Sequence, residues 1–97
     1  MSTHDIIGFE WDEANRQKSL LKHTIMWFES EQVFFNNPLL IDPDIDHSSS
    51  EQRFRALGRT NAGKPLFISF TIRRGFIRII SARPMSRLER KIYEENI

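Results

Sequence analysis

Arginine is the residue type in this sequence whose placement points most clearly to chemistry. Between Arg53 and Lys91 there are eleven cations and one acidic residue, and nine of the eleven cations are arginine. The planar guanidinium group donates hydrogen bonds in a fork that matches two phosphate oxygens, which a lysine ammonium group does not. The pattern favours a phosphate-containing ligand, but a solvated sheet face that uses arginine would give the same sequence.

The parity of these arginines suggests that several share a surface. Arg53, Arg55 and Arg59 are separated by even numbers of residues, so a β-strand would place them on one face. Arg78 and Arg83 lie on opposite parities of a later predicted strand, so those two share a face only if a β-bulge intervenes.

The charges of the two halves of the chain are opposite in sign. Residues 1–52 contain three basic and ten acidic residues, a net charge of −7, whereas residues 53–97 contain eleven basic and three acidic residues, a net charge of +8. A split of this size suggests a polyanionic partner for the second half. The alternative is that the two halves neutralise each other within the fold.

The segment Asp42-x-Asp44-x-Asp46-His47 is the best candidate for a metal-binding loop. In a calcium loop that begins at Asp42, glycine should stand at the sixth position and glutamate at the twelfth, but these are His47 and Arg53. The chain has no cysteine, and its three histidines lack the paired spacing of zinc sites. We therefore expect no metal and no cofactor.

Two helices are predicted in the first half of the chain. Asp12 is typical of a helix N-cap, so the first helix should follow it and end near His23. The second should cover about residues 28–35. Its inward-facing residues should be Val33, Phe34 and Phe35. A short strand at 39–41 and a polar loop at 42–51 should follow.

Alternating apolar and polar residues predict three antiparallel strands in the second half, at about 53–60, 66–73 and 76–83. The connections between them contain Gly63 and Gly75, as tight hairpins require. Residues 39–41 can add a fourth strand, and residues 9–11 form either a short strand or an extended lead-in.

A closing helix is predicted from the capping-box sequence Ser86-Arg87-Leu88-Glu89 to about residue 95, with Leu88 and Ile92 as its apolar stripe. The predicted fold is therefore α+β, with two N-terminal helices, an antiparallel sheet of three to four strands and a C-terminal helix. One domain should occupy residues 1–97. No apolar run reaches the length of a membrane span and no secretion signal is evident, which predicts a soluble, cytoplasmic protein.

Five parts of the chain together resemble BrnT toxins, which belong to type II toxin–antitoxin systems. The first is Phe9-Glu10-Trp11-Asp12-Glu13-Ala14 followed by Lys22-His23. The others are Asp46-His47-Ser48 with Glu51-x-Arg53-Phe54, Leu57-Gly58-Arg59-Thr60, Ile77–Arg83, and Glu89-Arg90-x-x-Tyr93-Glu94. The resemblance spans about residues 9–95 in the order of the family. One departure is Thr24, which stands where the family usually has glycine after Lys-His.

The resemblance implies a RelE-like ribonuclease fold and toxicity through RNA cleavage. It also implies neutralisation by a BrnA-type antitoxin that carries the DNA-binding part and represses the shared operon. Operator DNA would then be bound only through the antitoxin.

Cleavage of RNA without a metal requires a base for the ribose 2′-OH, an acid for the leaving 5′-oxygen and cations beside the phosphate. We assign the stabilisation of phosphate charge to Arg59, Arg78 and Arg83. The acid–base candidates are His23, Lys22 and Tyr93. The residues expected to position RNA are Arg53, Arg55, Arg87, Arg90 and Lys91.

Two other functions fit the same sequence. The chain could be a non-catalytic RNA-binding or operon-regulating module, and multiple turnover of RNA in chelator would separate this from an enzyme. It could also be an interaction domain whose basic sheet mainly docks the antitoxin, and competition between antitoxin and RNA would test that.

Overall fold

The computed structural model describes residues 6–96, apart from the side chains of Ser19 and Leu21. Its elements, in chain order, are β1 (Gly8–Glu10), α1 (Glu13–His23), α2 (Trp27–Val33), β2 (Leu40–Pro43), a 3-10 helix (Ile45–His47), β3 (Arg53–Arg59), β4 (Pro65–Arg73), β5 (Phe76–Pro84) and α3 (Arg87–Glu95). The predicted α+β class is confirmed. Among the helices of residues 6–96, none has the length and apolar character needed to cross a membrane.

The sheet has five strands in the order β1-β5-β4-β3-β2. The pairs among β2 to β5 are antiparallel, but β1 runs parallel to β5, with Glu10 beside Arg78. The prediction of three to four antiparallel strands was therefore wrong in number and in one pairing. Glu10 and Arg78 are 68 positions apart, and a parallel pair is not joined by a hairpin turn that a sequence could reveal.

A bulge in β5 decides which arginines share a face. Ser69 of β4 pairs with Ser81, but Phe70 pairs with Ile79, which leaves Ile80 as an extra residue. The bulge reverses the parity between Arg78 and Arg83 and brings them to the same face. The register of β3 and β4 adds Arg53, Arg55 and Arg59 to that face, which confirms that these three lie together.

The core lies on the opposite face of the sheet, against α2. Its strand residues include Ala56, Leu66, Ile68, Phe70, Ile77 and Ile79, all nearly inaccessible to solvent. Val33 of α2 packs onto this layer at Gly58, where an added Cβ would lie 2.5 Å from Val33 Cγ1. Helix α2 can approach β3 this closely only because residue 58 has no side chain.

The segment after α2 differs from the prediction. The helix ends at Val33, so Phe35 no longer follows the helical repeat and is 77% exposed. The expectation that Phe35 faces the core was wrong. The predicted loop at 42–51 is also shorter, because β2 continues to Pro43 and a 3-10 helix follows it. Asp42 binds Arg55 across the strands at 2.8 Å, which supports this longer β2.

The predicted helix caps are present. Asp12 Oδ1 accepts a hydrogen bond of 2.7 Å from the Asn15 backbone N–H at the start of α1. At the start of α3, Ser86 Oγ accepts from the Glu89 N–H at 3.2 Å, and Glu89 Oε1 accepts from the Ser86 N–H at 2.7 Å. After α1, Thr24 has a φ of +56°, a conformation that favours glycine.

Helix α3 buries a different side from the predicted one. Leu88 is 67% exposed and Ile92 is 43% exposed, whereas Tyr93 is only 5% exposed. The Tyr93 hydroxyl donates a hydrogen bond of 2.6 Å to the Pro38 carbonyl oxygen, so α3 is fixed through its tyrosine. The predicted apolar stripe of Leu88 and Ile92 is therefore not the buried side of α3.

Candidate active site

The sheet face opposite the core, called the outer face below, carries three rows of side chains across the strands. The first row is Leu40, Leu57, Phe67 and Arg83; the second is Asp42, Arg55, Ser69 and Ser81; the third is Arg53, Thr71, Arg78 and Glu10. Neighbouring strands lie about 4.8 Å apart, so each row spans about 14 Å. The outer face therefore combines an apolar strip with arginines at its end and beside it.

Some of these arginines are already paired with carboxylates. Arg78 donates to Glu10 at 3.2 Å and to Asp12 at 2.8 Å, and its side chain is only 22% exposed. Arg55 donates to Asp42 at 2.8 Å. Arg53 and Arg59 form no salt bridge with any residue in the range 6–96. Their charges are thus more available to a ligand than that of Arg78.

A polar cleft of about 250 Å³ lies between the C-terminal end of α1 and the end of β5. Its lining includes Lys18, Lys22 and His23 from α1, and Ser81 and Arg83 from β5. Lys18 and Lys22 are four residues apart on a helix, so they project from one face. The cleft brings together three of the predicted catalytic residues, namely Lys22, His23 and Arg83, and no carboxylate is found among the side chains that the structure describes in its lining.

Arg83 is held firmly at the edge of this cleft. Its Nη1 and Nη2 atoms donate to Glu89 Oε1 and Oε2 at 2.7 and 2.8 Å, and Nη1 also donates to the Pro84 carbonyl oxygen at 3.2 Å. The guanidinium carbon lies 4.2 Å from the centre of the Phe67 ring. The hydrogen bond between the two side chains raises the pKa of Arg83 and lowers that of Glu89 relative to their ordinary values.

The contacts of Arg83 leave part of its fork available. A guanidinium group has five N–H donors, and three of them are used within residues 6–96. The remaining donors are Nε–H and one hydrogen on Nη2, which lie side by side along one edge. That edge has the geometry that binds two phosphate oxygens.

The remaining predicted cations lie outside the cleft. Arg59 is exposed at the end of β3, two strands away from β5. Arg87, Arg90 and Lys91 line a shallow depression on the exposed side of α3. Arg90 also borders a second depression that His23 and Lys64 share, so cationic surface continues from the cleft towards α3.

Tyr93 is placed differently from what an acid–base residue needs. Its hydroxyl is buried and donates to the Pro38 carbonyl oxygen at 2.6 Å. Burial raises the pKa of the Tyr93 hydroxyl above its ordinary value, although the nearby charge of Arg59 acts in the opposite direction. These contacts make Tyr93 a structural residue that joins α3 to the segment before β2.

Three residues of this region were not among the predicted site residues, namely Lys18, Ser81 and Phe67. The four-residue spacing of Lys18 and Lys22 could have indicated that both face one surface. The register places Phe67 on the outer face beneath Arg83. The alternation along β4 could have indicated this, because Phe67 has the parity of Ser69 and the opposite parity to Leu66.

The segment considered for metal binding is stabilised by other contacts. His47 Nδ1 lies 2.9 Å from Asp44 Oδ2, and this hydrogen bond lowers the pKa of Asp44 below its ordinary value. Within the described part of the chain, no group of three His, Cys, Asp or Glu side chains is arranged to hold a metal ion.

Comparisons with known proteins give one family. The profile described as "Ribonuclease toxin, BrnT, of type II toxin-antitoxin system" matches residues 11–89. The fold is similar to the crystal structure of the Brucella abortus ribonuclease toxin BrnT, with a TM-score of 0.62 and 22% sequence identity. That similarity covers 82% of this chain and 97% of the Brucella chain. No curated protein sequence matches the chain.

Proposed function

The chain belongs to the BrnT family of ribonuclease toxins of type II toxin–antitoxin systems, and from this premise we propose that it is a metal-independent endoribonuclease acting through the cleft between α1 and β5. The observation that supports this proposal is the meeting of His23, Lys22 and Arg83 in one polar cleft. An imidazole, an ammonium and a guanidinium group are together sufficient for RNA cleavage without a metal.

In the proposed reaction, the neutral imidazole of His23 takes the proton from the ribose 2′-OH. The 2′-oxygen then attacks the adjacent phosphorus, and the bond from phosphorus to the 5′-oxygen breaks. Lys22 donates a proton to the leaving 5′-oxygen. Lys18 and the available edge of Arg83 stabilise the charge on the phosphate oxygens. The products are a 2′,3′-cyclic phosphate and a 5′-hydroxyl end.

The cations outside the cleft are proposed to hold the RNA strand. Arg53 and Arg59 on the outer face, and Arg87, Arg90 and Lys91 on α3, would contact backbone phosphates rather than the reacting group. Arg55, which was also expected to position RNA, is neutralised by Asp42 and is given no phosphate contact. Arg78 was a candidate for charge stabilisation. Because two carboxylates neutralise it, we assign it instead to holding the start of α1 against β5. Tyr93 is likewise assigned a structural role, because its buried hydroxyl is bound to the Pro38 carbonyl oxygen.

A toxin of a type II system has an antitoxin partner, and we propose that this partner is BrnA-type. The antitoxin would relieve growth inhibition and would connect the toxin to operator DNA, with no direct contact between the toxin and DNA. Because its substrate is RNA, the toxin would act in the cytoplasm.

Gel filtration with a labelled oligonucleotide tests whether the antitoxin and RNA compete for the toxin. If the antitoxin acts by covering the RNA surface it displaces the oligonucleotide, and a ternary complex contradicts this.

The decisive experiment on catalysis compares the wild-type protein with two histidine variants in excess EDTA. Wild type and His47→Gln, a histidine outside the cleft, should cut RNA with multiple turnover and leave 2′,3′-cyclic phosphate ends. His23→Gln should be slower by about 10²- to 10⁴-fold, the usual contribution of a general base. RNA that is bound but never cut would instead identify a non-catalytic module. Activity lost in EDTA and restored by a divalent ion would overturn the metal-independent mechanism.

A further inference from the structure

A groove of about 390 Å³ lies between α3 and the outer face of β2 to β4. Its apolar surface comes from Leu40, Leu57, Phe67 and Ile92. The first three are consecutive members of the first row, so their side chains form a continuous strip beneath α3. The groove is thus a preformed slot with a flat apolar floor.

Arg83 connects this groove to the cleft. It is the fourth member of the same row, it lines the cleft, and its guanidinium group stacks on the Phe67 ring of the groove. Its partner Glu89 also lines the groove. A ligand that reaches Arg83 from the cleft therefore lies beside the entrance to the groove.

The two depressions differ in charge. The charged groups of the groove form neutral pairs, because Asp42 binds Arg55 and Glu89 binds Arg83. The cleft has an excess of cations from Lys18 and Lys22, neither of which forms a salt bridge with a residue in the range 6–96. A phosphate group is therefore favoured in the cleft, whereas an uncharged ring is favoured in the groove.

We propose that the groove binds an unpaired nucleobase next to the phosphate that is cleaved, an inference that rests on the proposed ribonuclease function. Bases of single-stranded RNA stack on aromatic side chains and on guanidinium planes, and their edges are bound by polar groups. Phe67 and Arg83 supply the stacking surfaces. Asp42 Oδ1 and Asn96 Oδ1 accept no hydrogen bond from any residue in the range 6–96, so both can accept from the N–H groups of a base.

The first test uses NMR of methyl-labelled wild-type protein and does not depend on cleavage. Adenosine 3′,5′-bisphosphate should shift the methyl signals of Leu57 and Ile92, together with the His23 ring. Inorganic phosphate should shift only the His23 ring. Leu88, exposed on the same helix but outside the groove, should respond to neither probe. Identical responses to the two probes would overturn the proposal.

The second test fills the groove. Ile92→Trp should raise KM for single-stranded RNA about tenfold, in line with the loss of one stacked base, while kcat changes little. Leu88→Trp, one helical turn away, should behave as wild type. If Ile92→Trp leaves RNA kinetics unchanged but prevents inhibition by the antitoxin, the groove binds protein and the nucleobase proposal is wrong. If wild type cuts no RNA, the proposed function fails, and the NMR titration still decides the groove.

Discussion

Glu89 holds both terminal nitrogens of Arg83, at 2.7 and 2.8 Å, and the same carboxylate accepts the Ser86 N–H that begins α3. One side chain therefore caps the closing helix and orients the guanidinium group at the edge of the cleft. The position of α3 and the geometry of the proposed active site are linked through this residue.

Glu89→Gln should lower kcat for RNA about tenfold, equivalent to about 1.4 kcal/mol, with little change in KM. Glutamine can still cap the helix, but it does not hold the cation by charge, so Arg83 loses its fixed orientation. Steady-state kinetics measure the effect, and Glu94→Gln, exposed on the same helix, is the control. Equal kinetics for both variants would show that Glu89 does not position Arg83.

Arg83→Ala should lower kcat by about 10²- to 10³-fold, the usual cost of removing one preorganised charge-stabilising donor. Arg59→Ala should mainly raise KM, because Arg59 lies outside the cleft. The sequence led us to assign both residues to charge stabilisation, so this pair tests the geometry directly. Thermal unfolding checks that both variants are folded. An equal loss of kcat in the two variants would show that Arg59 acts in the active site.

Acid should destabilise the fold partly through Glu89. The Arg83 hydrogen bond holds the folded-state pKa of Glu89 below its ordinary value of 4.5. The resulting stability is complete above pH 4.5 and is lost as the pH falls through the lower folded-state pKa. In urea unfolding at a series of pH values, Glu89→Gln should therefore lose less stability than wild type below pH 4.5. Parallel curves would contradict the assignment.

Thr24→Gly should stabilise the fold by about 0.5–1 kcal/mol. The left-handed conformation at Thr24 is unfavourable for a β-branched residue by about 1–2 kcal/mol, and the greater freedom of glycine in the unfolded chain offsets part of the gain. Thr24→Ala retains a Cβ and should gain much less. The midpoints of urea unfolding measure both changes, and a Gly variant no more stable than the Ala variant would exclude strain at this position.

Gly58→Ala should destabilise the protein by about 1–3 kcal/mol, because the new methyl group collides with Val33. Gly8→Ala is a matched control, since its Cβ would lie 3.7 Å from the nearest atom, an ordinary contact. Chemical denaturation compares the two variants. Similar stabilities would mean that α2 can shift away from β3 without cost.

Local features were the ones that the sequence allowed us to predict. The cap at Asp12, the capping box of Ser86 and Glu89, and the shared face of Arg53, Arg55 and Arg59 all depend on residues close together in the chain, and all are present. Each rests on short-range backbone geometry. For the same reason, the hairpin turns at Gly63 and Gly75, both with a φ of +85°, lie where predicted.

Features that depend on distant residues were missed. The parallel pairing of β1 with β5 and the inward turn of Tyr93 follow from contacts made across the whole fold. The sequence left the bulge at Ile80 undecided, because no residue near Ile80 requires an extra position in the strand. The grouping of His23 with Arg83 could be proposed from family resemblance, but only the packing of α1 along β5 brings them to one cleft.

The long separation between the two walls of the cleft has a consequence for synthesis. Arg83 follows His23 by sixty positions, so a ribosome completes α1 well before it makes the strand that faces it. Because chains emerge from the N-terminus and distant pairings form late, a nascent or truncated toxin lacks one wall of its proposed active site. Under the proposed mechanism, ribonuclease activity therefore requires β5 as well as α1, and a chain that stops before Arg83 should cut no RNA.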